Sequence, residues 1–216
     1  MKDNTTAKEK LLKKVRKALL EKRDNPYTNL EDLPLYAPNT ELLEVVFAEE
    51  FSAVSGQFVY CEDEVHLMET LLSIAEERNW HKIYAWEPQL QALLDKYEFP
   101  YYETDKDFDQ AEAGFTLCEA LVARNGSILL SNATAAGRRL SIYPPVHLVL
   151  AYSSQLVLDL KDGFKLIKER YGANIPSMIS NVTGPSRTAD IEKSLVLGAH
   201  GPKELFVFLL DGAPQQ

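Results

Sequence analysis

Apolar and polar positions change period along the chain, and the changes mark its elements. Leu11, Leu12, Val15, Ala18 and Leu19 recur at helical spacing with lysines on the opposite face. Thr6 and Glu9 stand at capping-box spacing before them, so an amphipathic helix ending near Arg23 is predicted. Asn25 to Asn39 carries Pro26, Pro34 and Pro38 and reads as an extended connector. From Thr40 short apolar runs alternate with helical patterns. Leu42 to Val54 predicts a helix ended by Gly56, and Gln57–Cys61 a strand. Asp63 caps a second helix through Ala75, Lys82–Trp86 is a strand, and Pro88 opens a helix. Phe99–Tyr102 reads as a further short strand.

In the second half, Asn125-Gly126 between two apolar runs signals a hairpin, with strands at Leu121–Ala123 and Ser127–Leu130. His147 leads a strand to Ala151, and Gln155–Leu158 follows. Leu160–Tyr171 is a helix ended by Gly172. Glu204–Leu210 is nearly all apolar, the pattern of a strand buried on both faces. The alternation predicts an α/β fold: a Rossmann-like mixed, mostly parallel sheet flanked by helices, with an N-terminal helical extension. Two parts are expected, residues 1–39 as helix and connector and residues 40–216 as the main domain.

Charge sharpens this division. The net charge is −9, but residues 1–23 carry nine Lys/Arg against three Asp/Glu. That balance of +6 leaves −15 on the rest, which argues against a nucleic-acid binder. The basic arm is either a solvated helix face or a docking element for an acidic partner. The two cysteines, Cys61 and Cys118, lie in apolar surroundings without a CxxC, as reduced core residues do. No metal site is expected: His66, His81, His147 and His200 have no partner at ligand spacing. No signal peptide or membrane-length apolar run is apparent, so a cytoplasmic protein is expected.

The densest chemistry lies at Asn181–Pro202, NVTGPSRTADIEKSLVLGAHGP. Read as a glycine turn opening a helix, Gly184, Ser186, Arg187 and Thr188 would offer backbone N–H groups and a guanidinium to an anion. The alternative is a capped helix with Arg187 and Asp190 paired at the surface. Arg138 and Arg139 after a small-residue loop, and Gly126 and Ser127 at the hairpin, extend the candidate anion site. Asp190, Glu119 and His200 are the candidate acid–base groups, with His147 at the mouth of a strand; each has an ordinary structural reading as an ion-pair or core residue.

GPSRTADIE, followed after a short helix by GAHGP and an apolar strand, resembles the C-terminal signature of the LUD-domain family, within it the lactate utilization protein C group. Gly137–Ala151, GRRLSIYPPVHLVLA, agrees. The resemblance implies a fold like those of ribose-phosphate isomerase, glucosamine-phosphate deaminase and CoA transferases. It also implies a subunit of a three-protein system oxidising L-lactate to pyruvate. That subunit would bind no cofactor itself, and its partners would hold the iron–sulfur clusters. It carries over motif residues but no assigned catalytic residue. Where many relatives read close to AETGT, this chain has Ala123-Arg124-Asn125-Gly126-Ser127, so any acid used there is replaced. An enzyme acting alone on an anionic small molecule, and a structural adaptor, remain the competing readings. A homo-oligomer is open.

Overall fold

The computed structural model describes residues 6–21, 36, 38–136, 138–191, 194–198 and 200–214. The chain divides into two compact units, Met1–Thr40 and Glu41–Gln216. In the first, helix α1 spans Ala7–Leu20 and is held at its start by the capping box: the Glu9 N–H donates to Thr6 Oγ1 at 3.3 Å and the Thr6 N–H to the Glu9 carboxylate at 2.8 Å. The proline connector lies, except for Tyr36, Pro38 and Asn39, outside the described residues.

The second unit is organised around strand pairing that the apolar runs make possible. It contains α2 (Leu43–Ala53), β1 (Gln57–Cys61), α3 (Glu64–Arg78), β2 (Ile83–Ala85), α4 (Pro88–Lys96) and β3 (Ala113–Leu117). There follow β4 (Ala120–Val122), β5 (Ser127–Ser131), β6 (Val146–Tyr152), β7 (Leu156–Val157), α5 (Leu160–Tyr171), β8 (Ile179–Val182), β9 (Arg187–Ile191), β10 (Ser194–Leu197) and β11 (Glu204–Leu210). Five strands form one parallel sheet in the order β1-β11-β6-β3-β2. Its faces follow the two-residue period of a strand. Leu148, Leu150, Phe206 and Phe208 pack on α3 and α4 through Leu67, Leu71, Leu90 and Leu94. Val149, Ala151, Leu205, Val207 and Leu209 face the other way, toward Phe47 and Phe51 of α2.

That second face is covered by a further sheet as well as by α2. Its order is β7-β4-β5-β8, with β5 antiparallel to both neighbours and β4 parallel to β7. Leu121, Ile128 and Leu130 join the α2 cluster, while Ala120, Val122 and Leu129 point outward to α5 and its buried Ile167. Helices and a second, mixed sheet thus flank a parallel central sheet, as the α/β reading expects; the antiparallel pairings all lie outside the central sheet.

Two expectations are corrected. Phe99–Tyr102 is not a strand: Tyr102 makes a single parallel bridge to Tyr84, and Pro100 has no N–H to extend it. Ala113–Leu117, which the sequence pattern does not delimit, is a strand between β2 and β6. The stretch after Gly184 does not open a helix. Arg187–Ile191 and Ser194–Leu197 pair as an antiparallel hairpin with an irregularity between Ser194 and Val196. Its base is tied by Ser186 N–H to Pro202 O and Gly198 N–H to Ser186 O, both at 2.9 Å.

Candidate functional site

Parallel strands deliver the residues that follow them to one end of the sheet. Here Glu87 follows β2, Cys118 and Glu119 follow β3, and Gln155 follows β6. Together with Thr134 beyond β5, Arg170 and Tyr171 in the last turn of α5, and Ala213 and Pro214 after β11, most of these line a cleft of about 710 Å³. Glu119 lies directly behind its wall, joined to Arg170 and Tyr171.

Glu87 occupies the N-cap of α4 without capping it, and Pro88 follows it at the first helical position. Its side chain turns to β3 instead, where Oε2 accepts the Leu117 N–H at 3.1 Å. Only 1% of the residue is exposed, and Oε1 has no partner among the described residues. Burial raises its pKa to about 7, opposed by the nearby Thr134 hydroxyl and the Leu117 N–H and assisted by the charge of Glu119. A carboxyl poised at neutrality can hold or release a proton at little cost.

Glu119, equally buried, is fully engaged. Its Oε1 accepts from Ser131 Oγ at 2.5 Å and Tyr171 OH at 2.8 Å, and Oε2 accepts from Arg170 Nη1 at 2.5 Å. This pair fixes Arg170, whose side chain remains 43% exposed and lines the cleft. Gln155 stitches the strand ends: Nε2 donates to Cys118 O at 2.6 Å and Oε1 accepts the Tyr152 N–H at 2.8 Å. Burial pushes the Cys118 thiol far up and the Cys61 thiol to about 11, so neither forms a ready nucleophile.

The other sequence candidates stand elsewhere. Gly126, Gly184 and Arg187 gather around the end of α2. A Cβ on Gly126 would lie 2.4 Å from Phe51 N and one on Gly184 2.4 Å from Val54 O, and both glycines have positive φ. Arg187 Nη2 donates to Val54 O at 2.7 Å and Ser55 Oγ at 2.8 Å. Ser127 is buried and 2.6 Å from the Thr183 hydroxyl. Arg139 pairs with Asp105 at 3.0 Å and lies over the Phe108 ring, Arg138 is exposed, and Arg124 is paired with Asp159. These arginines therefore do not converge on one cleft. Ser186 is held by the backbone bonds of the hairpin base, and His200 is an exposed bend residue. Thr188 and Asp190 stand in β9, and their side chains lie outside the described residues, as do Gly137 and Glu192 altogether. His147 is fully buried against Thr116 at 2.9 Å, with burial holding its pKa down to about 3; it is a neutral core residue.

The LUD domain profile matches residues 45–210. The chain belongs to the LUD-domain family. This LUD chain is 30% identical over 169 residues to lactate utilization protein C of Geobacillus sp. (strain WCH70), covering 68% of this chain and 70% of that protein. Over 112 residues it is 33% identical to lactate utilization protein C of Bacillus subtilis (strain 168), covering 50% and 47% respectively. The alignments thus span about half the length of relatives such as the latter. A DUF162 family protein from Deinococcus radiodurans shares the fold, with a TM-score of 0.57 at 16% identity over 78% of this chain and 96% of that one. Among the described residues, no helix is long and apolar enough to cross a membrane.

Of the candidate acid–base residues whose side chains are described, only Glu119 reaches the cleft's surroundings. Glu87, Arg170, Tyr171 and Gln155 were not singled out by sequence. A carboxylate between a predicted strand and a Pro-initiated helix, as in Trp86-Glu87-Pro88, was the available signal for Glu87.

Proposed function

We propose that this LUD domain serves lactate utilization as a subunit that holds a small organic anion in the strand-end cleft beside iron–sulfur partners. The observation that carries the reading is the placement of a buried carboxyl and a fixed arginine in one cleft at the carboxyl ends of parallel strands. The relatives named lactate utilization protein C support the physiological setting. In this reading the chain binds no cofactor of its own, and the three-component system's partners carry the electrons. Two free, buried cysteines are not the four-thiolate set that a cluster needs, which supports that division of labour.

Arg170 supplies the positive charge for a carboxylate, and Glu119 holds its guanidinium in place. Glu87 supplies a group that exchanges a proton near neutrality. The same property favours a second reading, in which the isolated chain acts on an anionic small molecule of the isomerase or CoA-transferase kind with Glu87 as acid–base group. Purification of the tagged chain from its native cells grown on L-lactate, with growth of a deletion strain as the phenotype, tests the first. Co-purification of iron–sulfur proteins and loss of growth on lactate are expected. Normal growth on lactate and an isolated chain that copurifies with no such protein would refute it. Turnover by the isolated chain, abolished in Glu87→Gln, would establish the second.

A further inference from the structure

A cleft of about 710 Å³ falls in the range that encloses organic ligands rather than a single ion. Its floor and walls carry few charges. Glu87 is faced by Cys118 and Glu119 from the end of β3, by Arg170 and Tyr171 from α5, and by Tyr152 from the end of β6. Cys118 stays neutral because burial pushes its thiol up, and burial likewise raises the Tyr152 and Tyr171 phenols. Arg170 is already balanced by Glu119 at 2.5 Å. The charge that changes near neutral pH is therefore that of Glu87. With Glu87 ionised, an entering anion meets two carboxylates against one guanidinium. With Glu87 neutral, it meets a balanced pair and an additional O–H donor.

The two oxygens of Glu87 also differ. Glu87 Oε2 accepts the Leu117 N–H, whereas Oε1 has no partner among the described residues. A buried polar atom without a partner costs free energy. The nine-residue helix α4 begins beside it, adding the positive end of its dipole to the same spot. We propose that the cleft is a proton-linked site for an organic carboxylate, which Arg170 pairs with and which Glu87 admits in its acid form. This rests on the reading of the cleft as the ligand site given above. Binding takes one proton from solvent for each ligand bound when Glu87 is ionised beforehand, and release of the ligand returns it.

The size of the effect follows from the fraction of chains whose Glu87 is protonated. With a pKa of about 7, that fraction is about nine-tenths at pH 6 and about one-tenth at pH 8, so the apparent affinity falls about tenfold between them.

Isothermal titration calorimetry of the full chain with sodium L-lactate, pyruvate and 2-oxoglutarate tests the proposal, since all three offer the same carboxylate chemistry at different sizes. At least one is expected to bind about tenfold more tightly at pH 6 than at pH 8. At pH 8 its heat, compared between buffers of different ionisation enthalpy, should report uptake of about one proton. Glu87→Gln, which keeps a donor and removes the charge, should bind equally at both pH values. Ala135→Trp, which fills the cleft from an exposed loop position, should abolish binding. Equal wild-type affinity at the two pH values, or pH dependence surviving in Glu87→Gln, would overturn the proton linkage while leaving the ligand site standing. Absence of binding by all three acids would overturn the carboxylate site itself, and co-purification with iron–sulfur proteins would still decide the role as a subunit independently.

Discussion

Replacing Glu87 with glutamine has an effect on stability that grows with pH, and the structure sets its size. Burial raises the Glu87 carboxyl from 4.5 to about 7 in the folded chain. Between those values the folded state holds a proton that the unfolded state has lost. Stability therefore falls as pH rises through that window, by roughly 1.4 kcal/mol per pH unit and about 3 kcal/mol in all. His147 acts in the opposite direction. Its folded pKa is lowered from 6.5 to about 3, so below 6.5 the unfolded state binds a proton that the folded state refuses, and stability falls as pH drops. Between pH 4.5 and 6.5 the two slopes oppose each other and nearly cancel in the natural chain. Glu87→Gln removes one of them. Urea unfolding followed by the fluorescence of Trp80 and Trp86 across pH 5 to 8 measures the difference. The stability gained by the variant relative to the natural chain should grow by about 3 kcal/mol from pH 5 to pH 8. Between pH 6.5 and 5 the variant alone should lose about 2 kcal/mol. Two curves that run parallel across the whole range would refute the assignment of Glu87 as a carboxyl held protonated by burial.

Other substitutions separate scaffold from site. Gly126→Ala places a Cβ 2.4 Å from Phe51 N at a φ of +58°; a loss of about 3 kcal/mol in urea unfolding is expected from strain and displaced packing. Arg187→Ala removes two hydrogen bonds to the end of α2, so it should cost about 1 kcal/mol and leave carboxylate binding at its original affinity. Arg170→Met leaves Glu119 buried with its hydroxyl donors but no cation; about 2 kcal/mol of stability should be lost, less than for a wholly buried pair because Arg170 is partly exposed. Calorimetry on that variant should also show at least a tenfold loss of carboxylate affinity.

The fold was legible wherever local pattern and tertiary role agree. Leu160–Tyr171 and Glu204–Leu210 begin and end where their apolar spacing and flanking residues place them. Pattern was insufficient where pairing decides the outcome. Ser194–Leu197 is too short for its period to distinguish helix from strand, and pairing with Arg187–Ile191 makes it a strand. Ala113–Leu117 lies in an apolar run with no turn residue to delimit it, and its place between β2 and β6 is a property of the sheet. Gly126, Gly184 and Arg187 drew attention as chemistry because each is unusual. Their neighbours Phe51 and Val54, more than 70 residues away in the chain, show instead close approach of backbones and a helix-end tie. Glu87 and Arg170 were inconspicuous for the converse reason. Each is an ordinary charged residue at a helix end, and only burial and convergence distinguish them.

Under the proposed function, the strand-end cleft is where this LUD domain does its work in lactate utilization. Growth on L-lactate as sole carbon source, in a deletion strain carrying either Ala135→Trp or Arg187→Ala at equal cellular abundance, tests it most directly. Ala135→Trp should fail to restore growth while Arg187→Ala restores it fully. Full growth with the filled cleft would contradict the claim.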